Sequence, residues 1–356
     1  MKIDNLRYNI KKILKKIKLL KNNDPNWKDI ISKHKKTYNE LKEKASKGQK
    51  ILICTSTGGH LLSSHFEALL ALTLTRYGAN VEIMLCDKVL TACQMSTTQF
   101  ISEENLISKG QSKICNSCLD SGKGAFEDLG LKINYYSDFI NQETSKKISS
   151  KIKNLTIKEM QEYKEDKINI GEHAYAGALR YYAVGELNNE RHGDIILRKY
   201  LYSAILTKNI FENYLAQNKI DKIILNHAIY VPQGIICNIS KENNIKIIVY
   251  TNAYRKNSFI FSYDDTYHKT MIEEDVADWE NLVLDQKKEK LIIDYLLSRK
   301  HGTNDMFYYF KNPSFDIKKK LVNNGVDIKK PILGILTNVI WDAQIIYKNN
   351  IYNNMI

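Results

Sequence analysis

No hydrophobic run in this sequence approaches the ~20 consecutive apolar residues that span a bilayer, so no membrane-crossing helix is expected. No secretory signal is legible either. The first residues are basic, but lysines interrupt their apolar positions. A cytoplasmic protein is the resulting expectation. No segment repeats at intervals of 20–50 residues, which excludes solenoids and propellers. Net positive charge is scarce beyond the start of the chain. Residues 1–50 carry 16 Lys and Arg against 5 Asp and Glu, eleven of the chain's net +13, and the rest is nearly neutral. That basic segment lacks interleaved aromatics and any reading motif, so nucleic acid is not an expected partner.

The 356 residues suffice for about two domains. Residues 5–21 place Leu6, Ile10, Ile13, Leu14, Ile17 and Leu20 on one helical face, with lysines filling much of the rest. Such a basic amphipathic helix either attaches to an anionic membrane surface or packs on the domain as a hairpin with a solvated lysine face. A second, polar helix is expected from Trp27 to about Ala45. Residues 1–47 therefore form a helical extension.

From Lys50 the pattern turns α/β. Residues 51–54 read as a strand and 61–77 as a helix whose buried side carries Leu62, Phe66, Leu69, Leu70 and Leu74. Residues 81–86 read as a second strand, making a right-handed β-α-β unit. Residues 87–220 look like a less regular insertion, mainly helix and loop. The stretches 108–112 and 120–124 read as loops, and 158–163 and 194–218 as helix. Strand signals return at 222–225 and 246–250 around a helix at 234–243, and 278–298 reads as helix. The expected fold is a Rossmann-like parallel sheet over residues 48–325. The run PILGILTNVIWDAQIIY, residues 331–347, reads as strand, loop and helix start of a second such unit over 326–356. On that reading the second unit is incomplete.

Three polar loops follow predicted strands and so share one sheet edge, where open α/β sheets bind ligands. The first is Thr55-Ser56-Thr57-Gly58-Gly59-His60. Paired glycines admit close backbone approach, and the helix behind offers free N–H groups. His60 suits a general base or a phosphate donor, or simply caps the helix. The second loop holds His227, a rival base, with Tyr230 and Gln233. The third holds Tyr254 and Arg255, the latter suited to a phosphate or carboxylate. Asp87, just after the second strand, lies at the same edge. Thr266, Tyr267 and His268 sit in SYDDTYHK, whose aromatics among hydroxyl-binding groups suit sugars. Arg180 belongs to another polar-aromatic cluster with Tyr181 and Tyr182.

Cys86, Cys93, Cys115 and Cys118 are spaced C-x6-C-x21-C-x2-C. Outside a secretory context they are expected reduced or metal-bound, holding a structural zinc, standing as separate thiols or including a redox pair.

With these motifs, the chain resembles a family of bacterial glycosyltransferase-like proteins of capsule or surface polysaccharide biosynthesis. The resemblance rests on TSTGGHLLSSHFEALLALTLTRYGANVEIMLCD, HAIYVPQG, AYRKNSFIFSYDDTYHKT and LTNVIWDAQ, and covers about residues 50–356. The first block is also similar to the Gly-Gly-His loop of two-domain (GT-B) glycosyltransferases. The resemblance implies two facing Rossmann-like domains, the first binding a glycan or lipid-linked acceptor and the second a nucleotide-sugar donor. It implies no metal for catalysis, so a zinc would be structural. Gly58, Gly59 and His60 match the acceptor-side loop, and His227, Tyr254, Arg255 and His268 match family blocks. Family members continue through a donor domain beyond TNVIWDAQ, so this chain is expected to be inactive alone. The alternative is a non-catalytic acceptor-binding module that serves a separate donor-domain chain.

Overall fold

A computed structural model describes residues 25–141, 143–301, 304–305, 316–334 and 339–342. Two short helices, α1 (Trp27–Ser32) and α2 (Lys35–Ala45), precede β1 (Lys50–Ser56), α3 (Leu61–Arg76) and β2 (Asn80–Leu85). Then come α4 (Glu103–Lys109), α5 (Ser112–Phe126), β3 (Lys132–Tyr135), α6 (Thr144–Ile152) and α7 (Ile157–Gln161). A ribbon of β4 (Lys164–Glu165) and β5 (Ile168–Asn169) leads into α8 (Ile170–Tyr182) and the long α9 (Gly193–Gln217). The chain returns to the sheet with β6 (Lys222–Asn226), α10 (Gln233–Glu242), β7 (Lys246–Asn252) and β8 (Phe259–Tyr263). It continues through α11 (Tyr267–Glu273), α12 (Val276–Glu280), α13 (Gln286–His301) and α14 (Ile317–Asn323).

The six-stranded sheet has the order β3-β2-β1-β6-β7-β8. All its pairs are parallel except β7 with β8. This is a Rossmann-like α/β fold. Its central strands are apolar on both sides, as parallel strands covered by helices must be. Leu52, Cys54, Met84, Ile223, Leu225 and Val249 face one core with α8, α9 and α10. Ile51, Ile53, Val81, Ile83, Ile224 and Tyr250 face the other, with α3, α5 and Trp27. Each fully buried aliphatic side chain contributes about 1.5–3 kcal/mol. The strand order reverses between β1 and β6, so the loops after these two strands border one crevice.

Several expectations need correction. The buried face of α3 is only partly the expected one: Phe66, Leu70 and Leu74 pack against the core, but Leu62 and Leu69 are exposed, while Ser63, Ser64, Glu67, Ala68 and Ala71 are buried. Small residues let this helix sit close to the sheet, and Glu67 accepts hydrogen bonds from Thr55 Oγ1 and Tyr250. Residues 120–124 are not a loop but part of α5. Gly122 there permits the backbone at Gly58 to touch the helix, since a Cβ on Gly58 would lie 2.4 Å from Gly122 Cα. The stretch 87–220 is more regular than expected, for its β3 extends the main sheet beside β2. The expected helix over 27–45 breaks at His34, whose φ of −129° is not helical. The break lets Trp27 bury its ring and donate to His65 Nδ1 (3.3 Å) while Tyr38 donates to Leu129 O (2.8 Å). The helix over 278–298 is two helices, α12 and α13.

Residues 331–334 carry no regular secondary structure. The rest of the strand expected there lies outside the described residues, as do the helix over 5–21 and residues 343–356. Among the described residues, no helix is long and apolar enough to cross a membrane.

Candidate functional site at the strand-order switch

The crevice between the ends of β1 and β6 gathers most of the expected residues. On the β1 side, Thr57 Oγ1 accepts from Gln94 Nε2 (2.5 Å) and Gln233 Nε2 (3.4 Å). Gln233 also donates to Thr55 O (3.0 Å), so the first turn of α10 clamps the loop after β1. Gly58 O accepts from Ser64 Oγ (3.0 Å), and Gly59 N–H donates to Cys118 Sγ (3.1 Å). The two glycines thus press the loop onto α5: a Cβ on Gly59 would meet Met95 and Cys118. This close approach to protein, not to a ligand, accounts for both residues.

His60 caps α3 at the mouth of the crevice. Its ring keeps an exposed edge, yet desolvation by its surroundings and then the charge of Arg180 lower its pKa below 6.5. Arg180, from the end of α8, donates to Gln94 O and lies over the Tyr230 ring at 5.2 Å. Tyr230 donates to Asp342 Oδ1 (2.9 Å), which brings Asp342 against the crevice.

On the β6 side the backbone turns sharply, with φ of 63° at His227 and 53° at Ala228, a left-handed conformation that is unusual for residues other than glycine. The turn aims the His227 ring among aromatics. Its centroid is 5.8 Å from His268, 6.2 Å from Tyr230 and 6.4 Å from Tyr267. Burial, then the neighbouring His268, lower His227 to about 4, and its Nδ1 is buried without a partner. Both His60 and His227 are therefore neutral at pH 7. A general base works best with a pKa near the working pH. At about 4, His227 is a poor match to that requirement and stands as a neutral hydrogen-bonding ring.

His173 supports this loop from behind. It is fully buried, pairs with Ile229 O (2.5 Å) and Asn238 Nδ2 (2.8 Å), and burial lowers it to about 4. Gly234 is required beside it, since a Cβ there would lie 2.4 Å from His173 Nδ1.

Other expected residues lie elsewhere. Asp87 accepts from Ser137 N–H (3.0 Å) on the β3 side of the sheet. Arg255 is exposed and pairs through its backbone with Asp305, while the Tyr254 ring carries Arg299 at 5.7 Å. Thr266 is buried next to Tyr267, its Oγ1 without a partner. Tyr181 and Tyr182 turn away from Arg180 to Ile101 O and Glu103.

Cys86, Cys93, Cys115 and Cys118 do converge, lining one narrow cavity with Met95 beneath the glycine loop. Yet among the described residues no three His, Cys, Asp or Glu side chains are placed to hold a metal ion. Burial raises all four thiols, Cys118 to about 11 and Cys115 to about 12.

Sequence reading missed Gln94 and Glu67. Gln94 lies in an aperiodic stretch with no local signal. Glu67, a charged residue on a helix otherwise read by its apolar positions, carried no signal of burial. Asp342 was visible only within the quoted WDAQ block. No protein-family model matches this chain, and no curated protein matches it in sequence.

Proposed function

We propose that this chain supplies the acceptor side of a two-domain (GT-B type) glycosyltransferase of capsule or surface polysaccharide assembly. The observation that carries the reading is the cluster of His60, Arg180, His227, Tyr230, Tyr267 and His268 at the switch point of the sheet. Aromatic rings offer apolar faces to a sugar ring, while imidazoles and Arg180 offer groups for its hydroxyls. In the proposed reaction, neutral His60 takes the proton of an acceptor hydroxyl. The freed oxygen attacks the anomeric carbon of a nucleotide-sugar, and the bond to the diphosphate breaks with its electrons leaving on the nucleotide. The donor would be held by a second Rossmann-like unit facing this crevice.

The test is binding of the purified chain to a panel of surface oligosaccharides and lipid-linked precursors. Wild type should bind at least one of them, and Tyr267→Ala should weaken that binding at least tenfold. Absence of binding to the whole panel, or equal binding by the variant, refutes the reading. Residues 5–21 are proposed to hold the protein at the inner face of the plasma membrane. Deleting residues 1–24, which spares the buried Trp27, should then lower binding to anionic vesicles, and equal binding by both forms refutes the anchor.

A further inference from the structure

The largest anomaly of the molecule lies away from the crevice. Every residue from 274 to 294 is exposed, through α12, its following turn and most of α13. Ten large apolar side chains between Val276 and Leu297 are at least 40% exposed, with Val283 at 87%. Among the described residues, the contacts that tie this arm to the body include Tyr295 to Asp305 (3.1 Å), Arg299 to Asp305 (3.5 Å), and Arg299 over Tyr254. A monomer rarely leaves so much contiguous apolar surface in water, and a helix apolar around much of its circumference is normally covered.

The charges on the arm say what covers it. Residues 274–285 carry Glu274, Asp275, Asp278, Glu280 and Asp285, with no Lys or Arg. Residues 286–301 carry Lys287, Lys288, Lys290, Arg299 and Lys300 against Glu289 and Asp294. The arm is thus an acidic limb followed by a basic limb, both studded with exposed apolar residues. A two-fold axis sets each limb of such a surface against the opposite limb of a second copy. Acid then meets base twice, with apolar side chains between. An anionic membrane suits this surface poorly, because the acidic limb would be repelled and α13 lacks a continuous cationic face.

We infer that residues 274–301 form a self-complementary surface through which two copies of this chain associate, acidic limb on basic limb. Sedimentation equilibrium of the full chain should give a dimer, weakened by raised salt. Asp278→Lys with Glu280→Lys takes the acidic limb from a net −5 to −1, leaving little to attract the basic limb at +3. Lys287→Glu with Lys290→Glu makes both acidic. Each double variant alone should dimerise at least tenfold more weakly, and an equimolar mixture should restore the dimer as a heterodimer. Rescue by mixing is not expected of variants that merely misfold, and far-UV circular dichroism checks each. A monomeric wild type, unweakened double variants, or a mixture no better than its components would overturn the inference. So would a wild type that stays monomeric while sedimenting with anionic vesicles.

Discussion

Glu67 gives the sharpest quantitative test of the packing. Its carboxyl is fully buried between α3 and the sheet, accepting from Thr55 Oγ1 (2.5 Å) and Tyr250 (2.8 Å). Burial outweighs these two hydrogen bonds and raises its pKa from 4.5 to about 7. Between those values the unfolded chain has released this proton and the folded chain retains it. Rising pH therefore favours unfolding. The contribution is complete below about 4.5 and lost above about 7. Each tenfold of proton affinity is worth ~1.4 kcal/mol, so wild type should lose about 2–3 kcal/mol between pH 5 and 8.5 from this group. Glu67→Gln keeps the shape and both hydroxyl contacts, whose rotors can adapt, and does not titrate. Urea denaturation of both proteins at the two pH values isolates the effect, because all other titrations cancel in the difference. The gap should move toward the Gln variant by about 2–3 kcal/mol on raising the pH. Parallel pH profiles would refute the assignment of this carboxyl as buried and protonated.

Two further outcomes follow from the packing of the site. Gly58→Ala forces a Cβ to 2.4 Å from the Gly122 backbone, and backbone cannot yield as a flexible side chain would. A loss of about 1–3 kcal/mol is expected in thermal or chemical denaturation, and an unchanged stability would contradict the loop's seat on α5. His173 is held at about 4 when folded against 6.5 when free. As pH falls through 6.5 the unfolded chain takes the proton first, so stability declines toward pH 4. That slope, on the order of 3 kcal/mol in all, should vanish in His173→Gln.

What was legible in the sequence was the backbone plan. Strands β6 and β7 announced themselves because parallel strands covered on both faces are short apolar runs. The polar breaks after β1 and β6 marked the crevice for the same reason: where the apolar run ends, the sheet ends. The face of α3 was only partly legible, since Phe66, Leu70 and Leu74 pack against the core as expected while Leu62 and Leu69 do not. Its leucines outnumber its small residues, but close approach to the sheet selected Ser64, Glu67, Ala68 and Ala71 for burial. Gly122 misled in the same way, as a helical glycine chosen for contact with Gly58 reads like a loop residue. Arg180 was singled out with Tyr181 and Tyr182, yet only Arg180 reaches Tyr230. Long-range pairings such as Thr57 with Gln94 and Gln233 leave no local pattern to read.

The histidines allow the most direct test of the proposed acceptor site. The chain has eight, at positions 34, 60, 65, 173, 192, 227, 268 and 301. Imidazole-labelled protein can be titrated by NMR with a surface oligosaccharide or lipid-linked precursor that it binds. The account predicts shifts concentrated at His60, His227 and His268, with His34, His65 and His192 unmoved as internal controls. Shifts confined to those controls, or binding that leaves His60 and His227 untouched, would contradict it.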